Sequence, residues 1–255
     1  MHNPASSTLL VQKFILILFL LIPWQSSNAG EIRIAVASNF TGTMKILAAQ
    51  FEQQSSHNVV LASGSTGKHF SQISNGAPFD AFFAADARRP TLLESSGLIV
   101  PGTRFTYAIG RLVLWSSEDG YVDPEGKVLD HGDFKRLAIA NPRLAPYGKA
   151  AQQVLLTKGL WQPLQKRIVR GENIAQAYQF TVSGNAQLGF VALSQIQQHN
   201  PEAQGSYWIV DPSLHDPIEQ QAVLLTDKPA ARSFMEFVKS NEARAILQRN
   251  GYDTP

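Results

Sequence analysis

The chain contains no cysteine, which removes disulfides, thiolate nucleophiles and thiolate-held metals together. Its cations form no tract. Lys and Arg total 22 against 20 Asp and Glu, for a formal charge of +2. Nucleic acid is held by clustered cations, so it is not expected as a partner. The six histidines are scattered and show no paired ligand spacing; no metal and no cofactor is expected. Long apolar runs are also scarce. The uninterrupted stretch Phe14 to Pro23 (FILILFLLIP) is about half the ~20 residues that a membrane-crossing helix needs.

That stretch has another use. It follows Lys13 and precedes Ser27 and Ala29, small residues at the two positions that signal peptidase reads. A charged start, an apolar middle and a small-residue end describe a secretory signal peptide. Residues 1–29 are therefore expected to be removed, so that the mature chain begins at Gly30 and resides in the periplasm. No Cys precedes the cleavage point, which excludes a lipoprotein anchor. An exported chain without disulfides relies on its core alone. The remaining length can supply one, and the composition, 44% hydrophobic and 16% charged, suits a packed soluble protein.

The mature region alternates strands with helices. Glu31 to Ala37 (EIRIAVA) is rich in β-branched residues and reads as a strand. Met44, Leu47, Ala48 and Phe51 then recur at i, i+3, i+4 and i+7, the stripe of an amphipathic helix. Val59 to Ala62 and a helix with Phe70 and Ile73 inward repeat the plan, followed by strand Phe79 to Ala84 and a helix over Arg89 to Ser96. A long strand from Phe105 to Trp115 carries the chain away. Beyond it come strand Leu137 to Ala140, helix Tyr147 to Lys158, strand Arg167 to Val169, helix Ile174 to Val182, and strands Leu188 to Ala192 and Tyr207 to Val210. Gln220 to Leu225 is extended, and Pro229 starts a final helix running through Leu247. Such alternation implies α/β units with parallel, doubly wound sheets and right-handed crossovers. Two units joined by two extended crossings suit a bilobal protein, with residues 30–113 plus 219–255 in one lobe and 114–218 in the other.

Four strand-to-helix junctions carry small polar residues or glycine: Ser38-Asn39, Ser65-Thr66-Gly67, Pro146-Tyr147-Gly148 and Glu172-Asn173-Ile174. The first turn of a helix leaves N–H groups free, and its dipole favours negative charge. In open α/β sheets such ends gather at the carboxyl edge, where ligands bind. Ordinary helix capping favours the same residue types, so one junction alone says little; four in one chain point toward an anion.

At these residues the chain resembles the periplasmic molybdate-binding proteins of ABC transporters, over essentially all of the mature region. The matching stretches are Ile34 to Met44 (IAVASNFTGTM), Ala62 to Gly67 (ASGSTG), Asn75 to Asp86 (NGAPFDAFFAAD), Phe105 to Trp115 (FTYAIGRLVLW), Ala138 to Gly148 (AIANPRLAPYG) and Leu188 to Leu193 (LGFVAL). The resemblance implies the two-lobed, type II-like binding-protein fold, with molybdate or tungstate held between the lobes by hydroxyl, amide and N–H donors. It also implies delivery to a membrane permease by a monomer with no catalytic role. Carried over by position, it points to Ser38 and Asn39 in the first loop, Thr66 in the second, and the backbone N–H groups of Tyr147 and Ile174. Many members have a lone Ser in the first loop and a Tyr hydroxyl in the late strand. This chain has the pair Ser38-Asn39 and, in that strand, Gly189-Phe190-Val191-Ala192.

Other signals compete. Ser65-Thr66-Gly67-Lys68 fits S-x-x-K, and Ser183-Gly184-Asn185 fits S-x-N, both elements of penicillin-binding acyl-enzymes. The third element, K-T-G, is absent, since Thr157-Lys158-Gly159 has the wrong order. Gly64 to Lys68 hints at a P-loop, but Ala62 stands where the first Gly belongs and His69 follows the Lys. Asn39-Phe40-Thr41 is a formal glycosylation sequon, yet a sugar there would block the cleft. Lys68 and Lys149 read as solvated helix-face charges, and Asp80 and Asp86 as surface or capping residues. A binding protein for another small anion, such as sulfate, is the remaining alternative.

Overall fold

The computed structural model describes residues 30–199 and 205–255; the expected leader, 1–29, lies outside them. From the start of the described chain, β1 (Glu31–Ala37) runs into α1 (Thr41–Gln54), β2 (Asn58–Gly64) into α2 (Thr66–Ser74), and β3 (Ala81–Phe83) into α3 (Arg88–Ser95). β4 (Phe105–Gly110) and β5 (Leu112–Ser116) follow, separated by Arg111 alone. The next stretch comprises α4 (Val128–His131), β6 (Leu137–Ala140), α5 (Pro146–Thr157), α6 (Trp161–Leu164), β7 (Ile168–Gly171) and α7 (Ile174–Val182). The chain continues through β8 (Leu188–Ala192), α8 (Leu193–His199), β9 (Ser206–Ile209), β10 (Ile218–Leu224), α9 (Pro229–Val238) and α10 (Asn241–Arg249).

The strands form two five-stranded sheets, ordered β2-β1-β3-β10-β4 and β7-β6-β8-β5-β9. In the first, β1 lies parallel to β2 and β3; in the second, β6 lies parallel to β7 and β8. The expectation of parallel sheets needs one amendment. β10 is antiparallel to both neighbours in the first sheet, and β5 to both neighbours in the second. Each arrives straight from the other sheet, so it enters in the opposite sense to the strands that local crossovers deliver.

The stretch Phe105 to Trp115, read as one strand, is two. β4 belongs to the first sheet and β5 to the second. The apolar pattern runs unbroken through Arg111 because both halves are buried, Leu112 to Trp115 almost completely. The expected final helix is also two. Ser240 accepts a hydrogen bond from the Ala243 N–H at 3.2 Å and so starts α10 with its own cap. α8, straight after β8, had no recognised signal.

Each sheet has its own core. Ile34, Phe40, Met44, Leu47, Phe83 and Phe234 pack in the first, and Leu114, Ile139, Val154, Leu188 and Phe190 in the second. The α1 stripe of Met44, Leu47, Ala48 and Phe51 is buried as its spacing predicts. Phe40, fully buried, sets its ring 4.6 Å from a tilted Tyr107 ring and 5.4 Å from an edge-on Tyr252 ring. That anchors the loop between β1 and α1 and leaves Ser38-Asn39 at the sheet edge.

Candidate functional site

The carboxyl ends of β1, β2 and β3 in the first sheet and of β6 and β7 in the second face one small cavity. Ser38, Asn39, Thr66, Tyr147 and Ile174 all line it, together with Ala37, Gly64, Ser65, Ala85, Ala145 and Pro146. All five expected site residues are thus brought together, from four loops and both sheets. The cavity measures about 10 Å³, whereas pockets for organic ligands run to roughly 300–1,000 Å³. That is room for about one water, so the loops close tightly around their donors and leave no space for a sugar or a peptide.

The local chemistry follows from helix geometry. Tyr147 and Ile174 sit in the first turns of α5 and α7, whose N–H groups lack intrahelical partners. Among the described residues the backbone N–H groups of Asn39, Thr66, Tyr147 and Ile174 find no acceptor. The neighbouring donors are spoken for: the Ser38 N–H goes to Gly64 O at 2.9 Å, the Gly67 N–H to Leu144 O at 2.8 Å and the Gln176 N–H to the Asn173 cap at 3.1 Å. The Thr66 hydroxyl oxygen accepts from the Ala85 N–H at 3.1 Å, which leaves its hydrogen free to donate. The Ser38 hydroxyl lines the cavity and is likewise free among the described residues.

Asn39 departs from the simplest expectation. Both hydrogens of its side-chain amide are engaged, with Gln220 Oε1 at 2.8 Å and the Tyr252 hydroxyl at 3.2 Å. What Asn39 offers the cavity is its backbone N–H. Gln220, Tyr252 and Tyr107, which hold this loop from behind, carry no motif by which the sequence could have marked them. Burial pushes the Tyr107 and Tyr147 hydroxyls well above the ordinary phenol range, and Tyr252 up to about 12. All three therefore remain neutral.

Among the described residues no charged side chain lines the cavity; an anion here would be met by N–H and O–H dipoles and two helix N-termini. A larger cleft of about 530 Å³ opens outward from Ala85, Ala145 and Pro146. Arg89 pairs there with Asp86 and Lys149 with Asp216, while Arg88, Arg143 and Glu219 also line it; the smaller cavity is distinguished by its unpaired neutral donors. Contacts between the two halves surround it. Arg89 Nη2 donates to Arg143 O at 3.0 Å, and Lys68 Nζ lies 3.5 Å from Glu172. The acyl-enzyme motif is taken up in structure: Ser65 caps α2 by accepting the Lys68 N–H at 3.3 Å, and the Lys68 ammonium turns to Glu172. Ser183-Gly184-Asn185 follows the far end of α7, roughly 13 Å of helix from Ile174.

The family known as bacterial extracellular solute-binding protein matches residues 32–253. The chain belongs to that family. Within it, the chain is 49% identical over 230 residues to the molybdate-binding protein ModA of Azotobacter vinelandii, covering 89% of this chain and 91% of that protein. The molybdate-binding protein ModA of Rhodobacter capsulatus is 44% identical over 229 residues, covering 89% of each. The solved periplasmic molybdate-binding protein of Azotobacter vinelandii superposes with a TM-score of 0.85 at 45% identity, over 88% of this chain and 99% of that one. The two-sheet α/β architecture is that of the solute-binding family, and the family's work is binding rather than catalysis.

Proposed function

We propose that this solute-binding protein captures molybdate or tungstate in the periplasm and hands it to the permease of an ABC importer. It acts as a monomer, after loss of residues 1–29 and without catalysis. In this reading the strands of the first sheet, with residues 30–110 and 218–255, make one lobe and those of the second sheet, with residues 112–199 and 205–209, the other, with Arg111 and the segment 210–217 as the crossings. Ser38 and Thr66 donate through hydroxyls, and Asn39, Thr66, Tyr147 and Ile174 through backbone N–H groups. One observation carries the reading: unpaired neutral donors from both sheets converge on a cavity of about 10 Å³ with no charged lining.

Neutral donors cannot rank dianions by charge, because sulfate, molybdate and tungstate all carry two negatives. They rank them by reach. A cage spaced for longer metal–oxygen bonds leaves sulfate short of some hydrogen bonds, and each desolvated, unpaired donor costs about 1–3 kcal/mol. Protonated phosphate needs an acceptor, and no carboxylate lines the cavity. Titration of the mature protein with all four anions should show tight molybdate and tungstate binding, with sulfate and phosphate weaker by at least ~1,000-fold. Equal affinity for sulfate and molybdate refutes the assignment. N-terminal sequencing of periplasmic material should begin at Gly30, and retention of Phe14 to Pro23 refutes processing.

A further inference from the structure

Gln220 lies in β10 where the register against β4 shifts between Gln220 and Gln221. Such a bulge re-aims a side chain that regular alternation would send elsewhere. Here it buries the Gln220 amide completely, behind the cavity and outside its lining. Its Oε1 accepts from Asn39 Nδ2 at 2.8 Å and from the Tyr107 hydroxyl at 3.2 Å. Its Nε2 has the Tyr147 hydroxyl as its polar neighbour, although neither atom makes a well-formed hydrogen bond. Both atoms crowd the same point over Gly110, where a methyl group would collide with the Tyr147 hydroxyl and come within 3.0 Å of Gln220 Nε2.

One amide therefore touches the side chains of two residues whose backbone N–H groups enter the cavity from opposite sheets. An amide is suited to this place, because it accepts at one end and donates at the other without charge. We infer that Gln220 is a positioning residue: it fixes the span between the Asn39 and Tyr147 N–H groups, and thereby the size of anion the cage accepts. The inference rests on the anion-binding reading and adds to it a specificity determinant that never touches the ligand.

The test compares wild type, Gln220→Met, Asn39→Ala and the double variant, each titrated with molybdate and with sulfate. Gln220→Met should weaken molybdate about 10- to 100-fold and narrow the molybdate-to-sulfate ratio about tenfold. The double variant should be no worse than about threefold beyond the weaker single, because the span between Asn39 and Tyr147 is already released once either end of the Gln220 tie is lost. Wild-type affinity in Gln220→Met overturns the inference. So do losses that multiply in the double variant, or equal losses for both anions, which indicate general loosening. If Gln220→Met does not fold, Gln220→Asn keeps both ends of the amide and withdraws it by one methylene; an unchanged anion ratio in that variant overturns the inference too. A wild-type protein that binds neither anion refutes the anion reading itself, and this inference with it.

Discussion

The N–H of Gly67, in the first turn of α2, donates to the carbonyl oxygen of Leu144 at 2.8 Å and so joins the first sheet's loops to the second's. A Cβ at Gly67 would stand 3.0 Å from both the Cα and the oxygen of Leu144, and 3.0 Å from Arg89 Nη2. Gly67 is not among the glycines at positive φ, so the constraint is contact rather than backbone conformation. Gly67→Ala should wedge the two halves apart while leaving each fold intact. We expect molybdate affinity to fall ~10-fold or more, with the scattering radius of gyration in saturating molybdate staying above the wild-type value. Undiminished affinity would show that the halves do not close on this residue.

Thr66 serves the cavity twice, by its N–H and by its hydroxyl, while its oxygen also holds the Ala85 N–H. Thr66→Ala should weaken molybdate binding by about 1–3 kcal/mol, and Thr66→Ser, which keeps the hydroxyl, should restore most of the loss. Ser38→Ala, which strips a hydroxyl with no other partner, should weaken binding without shifting the melting temperature of the ligand-free protein. Calorimetric titration beside thermal melts separates the two outcomes. Unchanged affinity in both alanine variants would remove the hydroxyls from the donor set.

His69 gives the fold a dependence on pH. Burial pushes its imidazole below the usual value of 6.5, with the Gln72 hydrogen bond opposing. Because the folded pKa is the lower one, the unfolded chain takes up the proton first as pH falls. Stability is therefore complete above about pH 6.5 and declines as pH drops toward the folded value. The ligand-free melting temperature should fall between pH 7.5 and 5.5, and less so in His69→Phe, which keeps a ring against Phe79 and Phe82. Matching pH slopes in the two proteins would clear His69 of the effect.

Ser65 has the sequence surroundings of an acylating serine and the structural surroundings of a helix cap. Its oxygen accepts the Lys68 N–H, and the Lys68 ammonium is paired with Glu172, so Lys68 is not directed at the hydroxyl as a base. A labelled β-lactam should leave no adduct detectable by intact-protein mass spectrometry. A stoichiometric adduct on Ser65 would displace the binding-protein reading.

Local order was well written in the residues. β1, β6, α7 and β8 begin and end where the β-branched runs and the helical stripe begin and end, and the polar junctions after β1, β2, β6 and β7 mark the loops that meet. Long-range partnership was not. Nothing in Phe105 to Trp115 tells that Gly110 and Leu112 lie in different sheets, because burial makes both halves equally apolar. Asn39 reads as an amide donor until its neighbour is known, and that neighbour is 181 residues away. Gln220 carries no local pattern, since its direction comes from a bulge against β4 rather than from alternation.

The joint at Arg111 limits the geometry of motion. A single residue links Gly110 of the first sheet to Leu112 of the second, and consecutive Cα atoms stay ~3.8 Å apart whatever their torsions. The two sheets cannot be drawn apart at this point, and only torsions about Arg111 can change their relation there. Each donor loop therefore travels along an arc whose length grows with its lever arm from that pivot. The segment 210–217 adds a second tether, pinned where the Val210 N–H donates to Leu112 O at 3.1 Å, next to the first. With both connections so close together, any rotation of one sheet relative to the other has its axis beside Arg111, and its displacement grows with distance from that point.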